Sequence, residues 1–337
     1  MKEILVTGGT GYIGSHTVVE LQNAGYDVVI IDDLSNSSEE SLDGIEGITG
    51  IRPEFVKLDL KDAVKTDEFF ASHRRIHAVI HFAAYIAVGE SVKMPLEYYY
   101  NNLNSLMNVL TSMRKYGVEN IVFSSSCTVY GQADILPVTE QTPRKEAECP
   151  YGNTKSICED ILRDSATAYE NLNTIALRYF NPIGAHPTAL IGEVPNGVPS
   201  HIIPFVTQTA AGIREELAVF GDDYNTPDGS CVRDYIDVVD LAKAHVVAIA
   251  RLMEGKNKSA YEFFNIGTGN GVSVLEIIKG FEKATGKKLN YRIAERRAGD
   301  IEKVWADTSF ANNELGWKAS TSLEETLANA WRFQERL

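Results

Sequence analysis

Tyr151 and Lys155 lie four residues apart in a segment of helical period, which places both side chains on one face of a helix. A tyrosine acts as a base at neutral pH only if its pKa falls by about three units from its usual value near 10, roughly 4 kcal/mol in favour of the phenolate. A lysine ammonium one turn away favours the phenolate. Ser126, third in a run of serines after an apolar segment, can donate a hydrogen bond to the reacting oxygen. In isolation such a Tyr/Lys pair is more often a solvated helix face, so its meaning depends on the rest of the chain.

Gly8, Gly11 and Gly14 stand in the segment TGGTGYIG, between the first apolar run and the first helical segment. Gly8 permits a tight turn, Gly11 lets a pyrophosphate approach the backbone, and Gly14 lets the helix pack closely on the strand. The helix N-terminus then offers unpaired N–H groups and the positive end of its dipole to a phosphate. The motif alone is about as often a turn without a ligand.

Asp32 strengthens the dinucleotide interpretation because it ends the second predicted strand 18 residues after Gly14. An acid about 20 residues after the glycine motif binds the ribose 2′-hydroxyl of NAD. With Asp33 beside it, this carboxylate repels a 2′-phosphate, which favours NAD over NADP. Asp59, at the end of the third predicted strand, is placed to meet the adenine, and a simple turn role is equally consistent.

The elements that must position these residues follow an alternating pattern. Short β-branched runs alternate with helical segments, which predicts an α/β fold with a Rossmann-like, doubly wound parallel sheet. The predicted strands cover 4–6, 27–31, 54–58, 78–82, 120–123 and 174–177, and the predicted helices cover 12–24, 96–116 and 151–169. Residues 182–234 carry six prolines, typical of loops that bind ligands on a rigid scaffold. We predict an NAD-binding domain at 1–181, rejoined by part of 235–265, and a smaller, loop-rich substrate-binding domain at 182–337.

The composition limits the partners. The 337 residues carry 32 Lys plus Arg and 46 Asp plus Glu, a formal net charge of −14, so nucleic acid and anionic membrane surfaces are not expected as partners. The four cysteines show no metal-ligand spacing, which predicts reduced thiols and no metal site. No secretory leader follows Met1 and no apolar run approaches the ~18 residues that span a bilayer. We therefore expect a cytoplasmic protein.

The motifs TGGTGYIG, SSSCTVYG, YGNTK and RYFNPIGAHP resemble those of the extended short-chain dehydrogenase/reductases, over residues 2–331. Within that family, HFAAYIAVGESVKMPLEYYYNN, VRDYIDVVDLA and RRAGD resemble the UDP-hexose 4-epimerases. The resemblance implies reversible epimerisation of UDP-galactose and UDP-glucose at C4. Tyr151 would take the proton of the 4-hydroxyl while a hydride passes to tightly bound NAD, and the 4-keto sugar would turn over before the hydride returns. It also implies a homodimer with the helices that begin at Leu96 and Tyr151 at its interface, but helix faces that pack on the protein's own core are equally consistent with the sequence.

The resemblance assigns three sets of site residues. Ser126, Tyr151 and Lys155 are expected to be catalytic, with Lys155 also holding the nicotinamide ribose. The expected NAD contacts are Gly8, Gly11, Tyr12, Ile13, Gly14, Asp32, Asn36, Asp59, Leu60, Phe82, Ala83, Asn101, Lys155 and Phe180. The expected UDP-sugar contacts are Ser126, Tyr151, Asn181, His201, Phe220, Arg233, Arg297, Asp300 and Val304, with the two arginines on the diphosphate and Asp300 near the uridine. As an alternative, the arginines are surface ion-pair partners, the commonest role of an arginine.

Three positions depart from the family pattern. Ile86 stands where these epimerases often have a lysine near the cofactor, and His201 stands where they commonly have an asparagine. We expect His201 to be a neutral imidazole on the pocket wall. Val304 stands where the family has either a bulky tyrosine or a small residue. Its size predicts that UDP-N-acetylhexosamines are accepted as well as UDP-hexoses.

Other functions fit the same scaffold. A nucleotide-sugar 4,6-dehydratase needs an acid and a base directly after the strand-end serine, but Thr128 and Val129 follow Cys127 here. A reductase that exchanges NAD(P) would release reduced cofactor during turnover. A non-catalytic NAD-binding regulator would not need the Ser126, Tyr151 and Lys155 group, because a binding module has no use for an activated phenol.

Overall fold

The computed structural model describes residues 2–297 and 300–337. The strands are β1 Glu3–Thr7, β2 Asp27–Asp32, β3 Glu54–Lys57, β4 Ile76–His81, β5 Asn120–Ser126, β6 Asn173–Tyr179, β7 Asn181–Ile183, β8 Leu217–Phe220, β9 Val232–Arg233, β10 Tyr235–Asp237, β11 Tyr261–Ile266, β12 Val272–Ser273, β13 Tyr291–Ala294 and β14 Lys303–Val304. The helices are α1 Tyr12–Asn23, α2 Glu40–Thr49, α3 Ala63–Ser72, α4 Val88–Lys93, α5 Pro95–Tyr116, α6 Pro150–Ala168, α7 Ile202–Ala210, α8 Val238–Met253, α9 Val274–Thr285, α10 Ser309–Leu315 and α11 Leu323–Gln334.

Seven strands form one parallel sheet in the order β11-β6-β5-β4-β1-β2-β3. The central strands are apolar on both faces because helices cover both. In β1, Ile4 and Val6 pack against the side of α1 and α8, whereas Leu5 packs on the opposite side with α3, α5 and α6. This arrangement confirms the predicted Rossmann-like, doubly wound α/β fold.

The strand order reverses between β1 and β4, since the chain runs from β1 outward to β3 and then returns to β4 on the other side of β1. In open α/β sheets, ligands bind in the crevice outside the carboxyl ends of the strands at such a reversal. The glycine turn, Phe82 and Ser126 follow or end β1, β4 and β5, so the crevice is bounded by residues that the motifs singled out.

The second half of the chain contributes to two regions. β11 lies at the edge of the large sheet beside β6, and α8 packs against α1. The remaining strands form three small sheets, β10-β7, β12-β9-β14 and β13-β8. A separate apolar core of α7, α9 and α11 supports these small sheets, with Ile203, Phe281 and Trp331 at its centre. In the described part of the chain, no helix is both long and apolar enough to cross a membrane.

Candidate active site

The glycine turn leads from β1 into α1 through a backbone that only glycine accommodates. Gly8 has a φ of +70° and donates its N–H to the carbonyl of Ile31 at 2.7 Å. A Cβ on Gly14 would lie 2.1 Å from the carbonyl oxygen of Gly8. α1 then begins at Tyr12 with Gly11 as its N-cap and no side-chain cap. The turn therefore presents uncapped N–H groups at a helix N-terminus, the arrangement that binds phosphate.

Asp32 is buried at the carboxyl end of β2 and is held by donors from two loops. Its carboxylate accepts hydrogen bonds from the Thr10 N–H at 3.2 Å, the Leu34 N–H at 3.0 Å and the Ser37 hydroxyl at 2.9 Å. The Thr10 hydroxyl also donates to Ser37, which ties the glycine turn to the loop that carries the exposed Asn36. The acid is thereby fixed beside the turn, as the ribose contact of NAD requires.

Asp59 follows β3 and makes the contacts of a turn residue. Its carboxylate accepts the N–H of Lys61 at 2.9 Å and pairs with the Lys61 ammonium at 3.4 Å. The side chain remains half exposed. The next residue, Leu60, is buried, and its carbonyl accepts the Asn108 side chain at 2.8 Å. The adenine contacts of Asp59 and Leu60 remain predictions.

The facing wall of the crevice comes from β4, α5 and β6. Phe82 donates its N–H to Thr7 at 3.0 Å, and a Cβ on Gly8 would lie 2.9 Å from the nitrogen of Ala83. Buried Asn101 on α5 and Phe180 directly after β6 border the same edge of the sheet. Ile13 on α1 packs against the core below. The structure thus brings most of the predicted cofactor residues to one crevice.

Ser126, Tyr151 and Lys155 meet where β5 ends against α6. Both α6 side chains are buried, with Tyr151 9% exposed and Lys155 3% exposed. The Ser126 hydroxyl accepts the Thr128 N–H at 3.2 Å, which begins a 3-10 turn over Cys127–Tyr130. The Lys155 ammonium lies 5.9 Å from the centre of the Tyr151 ring. The geometry therefore joins the three residues that sequence spacing could place only on two separate elements.

Burial acts on the protonation of both members of the pair. Burial raises the pKa of Tyr151, and a hydrogen bond with Ser126 offsets only part of this effect. Burial also lowers the pKa of Lys155 to about 8. The Lys155 ammonium donates to the carbonyl oxygen of Ser124 at 2.6 Å. Desolvation of the phenolate thus exceeds the stabilisation that the protein's own groups give it. The expected lowering of the Tyr151 pKa relies on the positive nicotinamide ring of NAD as well as on Lys155, and it stays a prediction.

A buried polar network lies next to Ser126, Tyr151 and Lys155 and was not identified from the sequence. The Arg178 guanidinium binds both carboxylate oxygens of Glu159, at 2.8 and 2.5 Å, and Glu159 also accepts the Ser125 hydroxyl at 2.5 Å. Arg178 further donates to Tyr130, whose hydroxyl donates to Asn265 at 2.7 Å. Glu159 stands one helical turn after Lys155, a spacing that could have revealed it. The network fixes β5, β6, α6 and β11 relative to one another.

Asn102 is a second residue that sequence reasoning missed. It accepts the Tyr85 N–H at 2.8 Å and donates to the Thr154 hydroxyl at 2.9 Å and to the Tyr85 carbonyl at 3.1 Å. These bonds connect the loop after β4 to α5 and α6. Ile86, in the same loop, is 38% exposed.

Arg233 and Val304 are register partners in the parallel pair β9 and β14. The Arg233 guanidinium donates to the Val232 carbonyl at 2.9 Å. Arg233 also lowers the pKa of the Cys127 thiol, which burial raises to about 12, so it lies near the end of β5. Val304 is buried against Val129 and Phe180. The structure thus brings the two predicted substrate residues to the cofactor side.

Arg297, Asp300 and Phe220 form a second group at the surface. Arg297 pairs with Asp300 at 2.7 Å, and its guanidinium lies 5.6 Å from the centre of the Phe220 ring. Arg297 is 59% exposed. An ion pair, the alternative considered for this arginine, is therefore formed. Asn181 begins β7, and its N–H donates to the Asp234 carbonyl at 2.9 Å.

His201 caps the start of α7 and pairs with Glu193 at 2.6 Å. Burial disfavours the charged imidazole, but attraction to Glu193 outweighs it and raises the pKa of His201. The pair thus favours the charged imidazole relative to a free histidine, and the expected neutral state on the pocket wall stays a prediction. The Tyr12 hydroxyl donates to the Gly184 carbonyl at 2.7 Å, and Glu193 contributes to the raised pKa of Tyr12, so the start of α1 lies close to this ion pair. Among the described residues, no group of three or more His, Cys, Asp or Glu side chains could hold a metal ion.

The parallel sheet, the glycine turn with its acid and the Ser/Tyr/Lys group define a class: an α/β enzyme built around a dinucleotide. The model of the NAD dependent epimerase/dehydratase family matches residues 4–267. The chain belongs to this family.

Relatives and solved structures agree over nearly the whole chain. The chain is 53% identical to a UDP-glucose 4-epimerase of Bacillus subtilis over 98% of its length and 96% of that protein, and 47% identical to one of Mus musculus over 100% and 97%. The crystal structure of a Bifidobacterium longum UDP-glucose 4-epimerase with NAD+ and UDP has a TM-score of 0.95 at 47% identity, covering 99% and 98% of the two chains. A UDP-Glc/GlcNAc 4-epimerase of Campylobacter jejuni has a TM-score of 0.85 at 33% identity, with 100% coverage of both chains. These findings confirm the resemblance read from the motifs.

Proposed function

We propose that this chain interconverts UDP-galactose and UDP-glucose by reversible epimerisation at C4, with NAD as its cofactor. The observation that carries the proposal is the buried Ser126, Tyr151 and Lys155 group beside a glycine turn of dinucleotide type. Family membership and relatives named UDP-glucose 4-epimerase support the same reaction.

The residues of the crevice fit NAD. Gly8, Gly11 and Gly14 carry no Cβ on the turn, which leaves the backbone open to a pyrophosphate, and α1 begins without a side-chain cap. Asp32 is fixed at the distance along the chain expected for a ribose contact. When bound, NAD supplies the hydride acceptor and donor for C4 of the sugar.

The chain's own residues handle the proton. Tyr151 takes the proton of the 4-hydroxyl at its phenol oxygen and returns it when the other epimer forms, so no net proton is consumed. Ser126 hydrogen-bonds with that phenol and supplies a donor to the sugar oxygen. Lys155 contributes positive charge that favours the phenolate, in addition to the positive nicotinamide ring of bound NAD. Packing of Tyr151 with Tyr98 and Cys149 excludes water from the proton transfer.

Binding of the UDP-sugar falls mainly to residues 182–337, which we propose as the substrate-binding part. Arg233 and Arg297 supply positive charge for the diphosphate, His201 adds charge at the start of α7, and Asn181, Phe220 and Asp300 complete the site. Because the net charge is −14, the attraction for a diphosphate must come from these local groups. Arg297 then exchanges its partner Asp300 for the substrate.

The test is an epimerase assay on the purified protein without added NAD. We expect conversion of UDP-galactose to UDP-glucose, and we expect Tyr151→Phe to lower kcat by about 10³-fold, within the range for loss of a general base. Full activity in the variant would refute the assigned mechanism. Release of reduced cofactor would indicate a reductase, and loss of water from the sugar would indicate a dehydratase. Bound NAD without any turnover would favour the regulator.

We also propose that N-acetylated UDP-sugars are substrates. Val304 is buried beside Phe180 and Val129, where a tyrosine would need far more room. The expected result is comparable kcat/KM on the UDP-hexose and UDP-N-acetylhexosamine pairs. Val304→Tyr is expected to remove only the N-acetyl activity, whereas Val304→Ala should keep both. A wild-type protein inactive on the acetamido pair would disprove this proposal.

The state of assembly that we propose is a homodimer. On α5, Leu96, Tyr100, Leu103 and Met107 follow each other at helical spacing, and Leu96 and Tyr100 are 78% and 61% exposed. Apolar faces of this kind on a soluble protein mark contacts between proteins. Sedimentation at micromolar concentration is expected to give twice the mass of the 37.2 kDa chain, and Leu96→Glu with Tyr100→Glu to give monomers. A monomeric wild type would contradict it. All four cysteines are free, which fits the reducing cytoplasm as its compartment.

A further inference from the structure

The side chains of Ser124 and Tyr179 contact each other next to Lys155. Tyr179 pairs with Ser126 in the ladder between β5 and β6. Its hydroxyl forms a hydrogen bond with the hydroxyl of Ser124, two residues earlier on β5. Both side chains are buried, at 3% and 8% exposure. Neither residue was singled out by the motifs as part of the site.

Ser124 connects this pair to Lys155. Its carbonyl oxygen accepts the Lys155 ammonium at 2.6 Å, while its hydroxyl bonds to Tyr179. Burial raises the pKa of Tyr179 to about 12, so the phenol stays protonated at neutral pH and can donate. Ser124 thus binds the Lys155 ammonium with its carbonyl oxygen and binds Tyr179 with its hydroxyl.

We propose that Tyr179 is a positioning residue that, through Ser124, fixes the ammonium of Lys155 where it acts on the phenol of Tyr151. The inference rests on the proposed function for the meaning of that action. Within the described residues, the Ser124 carbonyl is the one hydrogen-bond acceptor of the Lys155 ammonium. Movement of this carbonyl therefore changes both the place and the charge of the lysine, because a buried ammonium without an acceptor loses its proton more readily.

The other groups that face Lys155 and Tyr151 contribute little charge that could replace that of the Lys155 ammonium. Around Lys155 they are the Phe123 ring at 4.8 Å, the thiol of Cys158, Glu159 and His81. Glu159 is already engaged by Arg178, burial lowers the pKa of His81 to about 3, and burial raises the pKa of Cys158 to about 12.

Around Tyr151 the other titratable groups are the phenols of Tyr179, Tyr98 and Tyr85 and the thiols of Cys127 and Cys149. None of these is a cation. Lys155 is therefore the positive charge available to Tyr151 among the described residues packed around it.

The experiment compares the wild-type holoenzyme with Tyr179→Phe. We expect kcat to fall about tenfold with KM within about twofold, and the ionisation midpoint of Tyr151 to rise by about one pH unit, the equivalent of tenfold. The midpoint is measured by the ultraviolet absorbance of tyrosinate, with Tyr151→Phe versions of each protein as blanks, so it does not depend on turnover. The low-pH limb of kcat should move with it. An unchanged midpoint and limb would overturn the proposal.

Two further variants separate positioning from a loss of stability. Ser124→Ala should reproduce the shift, and the double variant should add little, because both changes break one connection. Ser124→Thr keeps the hydroxyl and should retain the wild-type midpoint.

The matched control is Tyr130→Phe, which removes another buried phenol hydroxyl, one that donates to Asn265 and accepts from Arg178. It is expected to lower thermal stability and to leave the Tyr151 midpoint in place. An equal shift in this control would overturn the proposal. If the wild-type protein lacks epimerase activity, the proposed function fails, whereas the absorbance titration still decides whether Tyr179 controls the Tyr151 phenol.

Discussion

The glycine turn and the cationic residues of the proposed substrate site prepare for a charged ligand in opposite ways. In the turn, the polar groups are main-chain N–H groups at an uncapped helix start, fixed by close contacts such as that of Gly14 with Gly8. At the substrate side, the cations already have partners: Arg297 pairs with Asp300, and His201 pairs with Glu193.

The difference determines whether the free-energy cost of ordering the site arises during folding or during binding. A turn that is fixed by packing is already ordered in the folded protein, so cofactor binding costs little further conformational entropy. An arginine that is paired within the chain must break that ion pair to bind substrate. The net free energy of substrate binding is therefore smaller than the attraction between arginine and substrate alone. The cofactor is therefore expected to be retained through turnover, whereas the substrate comes and goes.

The largest expected effect comes from breaking the prepared turn. Gly14→Ala would place a Cβ 2.1 Å from the Gly8 carbonyl oxygen, so the backbone must move. We expect a loss of stability of about 3 kcal/mol or more, together with loss of NAD during purification. The control is Gly89→Ala on α4, where a Cβ meets no atom within 4 Å. Thermal unfolding and the absorbance of retained cofactor are the measurements, and a Gly14→Ala protein that keeps its NAD would contradict the steric account.

A smaller effect is expected at the exchanging cations. Arg297→Gln should raise the KM for UDP-galactose about tenfold, near 1.4 kcal/mol, with kcat within about twofold, because we propose that this residue binds the diphosphate and not the reacting carbon. Arg296→Gln is the matched control, since this neighbour is similarly exposed and pairs with Asp223 at 2.6 Å. Steady-state kinetics decide the matter. Equal changes in the two variants would assign Arg297 to a surface ion pair alone.

The smallest effect is expected at His201, whose pKa Glu193 raises. The charged imidazole persists below this raised pKa and is lost as the pH rises through it, so KM should rise a few-fold on the alkaline side. Stability from the pair, about 0.5 kcal/mol for a partly exposed pair, is full below the unfolded pKa near 6.5 and disappears over the same alkaline range. His201→Asn should flatten the KM profile between pH 6 and 9. A profile that keeps its wild-type shape would exclude the histidine.

Sequence patterns predicted the fold well where a pattern repeats. Predicted strands and helices of the first half recur with small shifts at their ends, and the fold, the family and NAD as cofactor are confirmed. The domain division and the roles of individual residues remain predictions.

The shifts at β5 and β6 have a physical reason. The apolar runs predicted strands at 120–123 and 174–177, but the strands continue to Ser126 and Tyr179. Polar residues extend these strands because partners on other elements satisfy them: Glu159 on α6 holds both Ser125 and Arg178. No local pattern reveals such a partner.

The same limit applies within the site. The spacing of Tyr151 and Lys155 places them on one helix face, but the acceptor of the ammonium, Ser124, comes from a neighbouring strand. The ion pair of Glu193 with His201 likewise joins residues of a segment that is neither helix nor strand, so no periodic pattern could reveal it.

The return of α8 and β11 to the large sheet affects how this protein is made. Synthesis releases the chain from its N-terminus, and domains begin to fold as they emerge. When the first 181 residues have left the ribosome, β6 is still an unprotected edge and the α8-facing side of α1 is uncovered. α8 covers this side of α1, and β11 pairs with β6, only after the segment between β6 and β11 has been translated. The glycine turn is thus among the first residues to be synthesised and among the last to gain a finished framework.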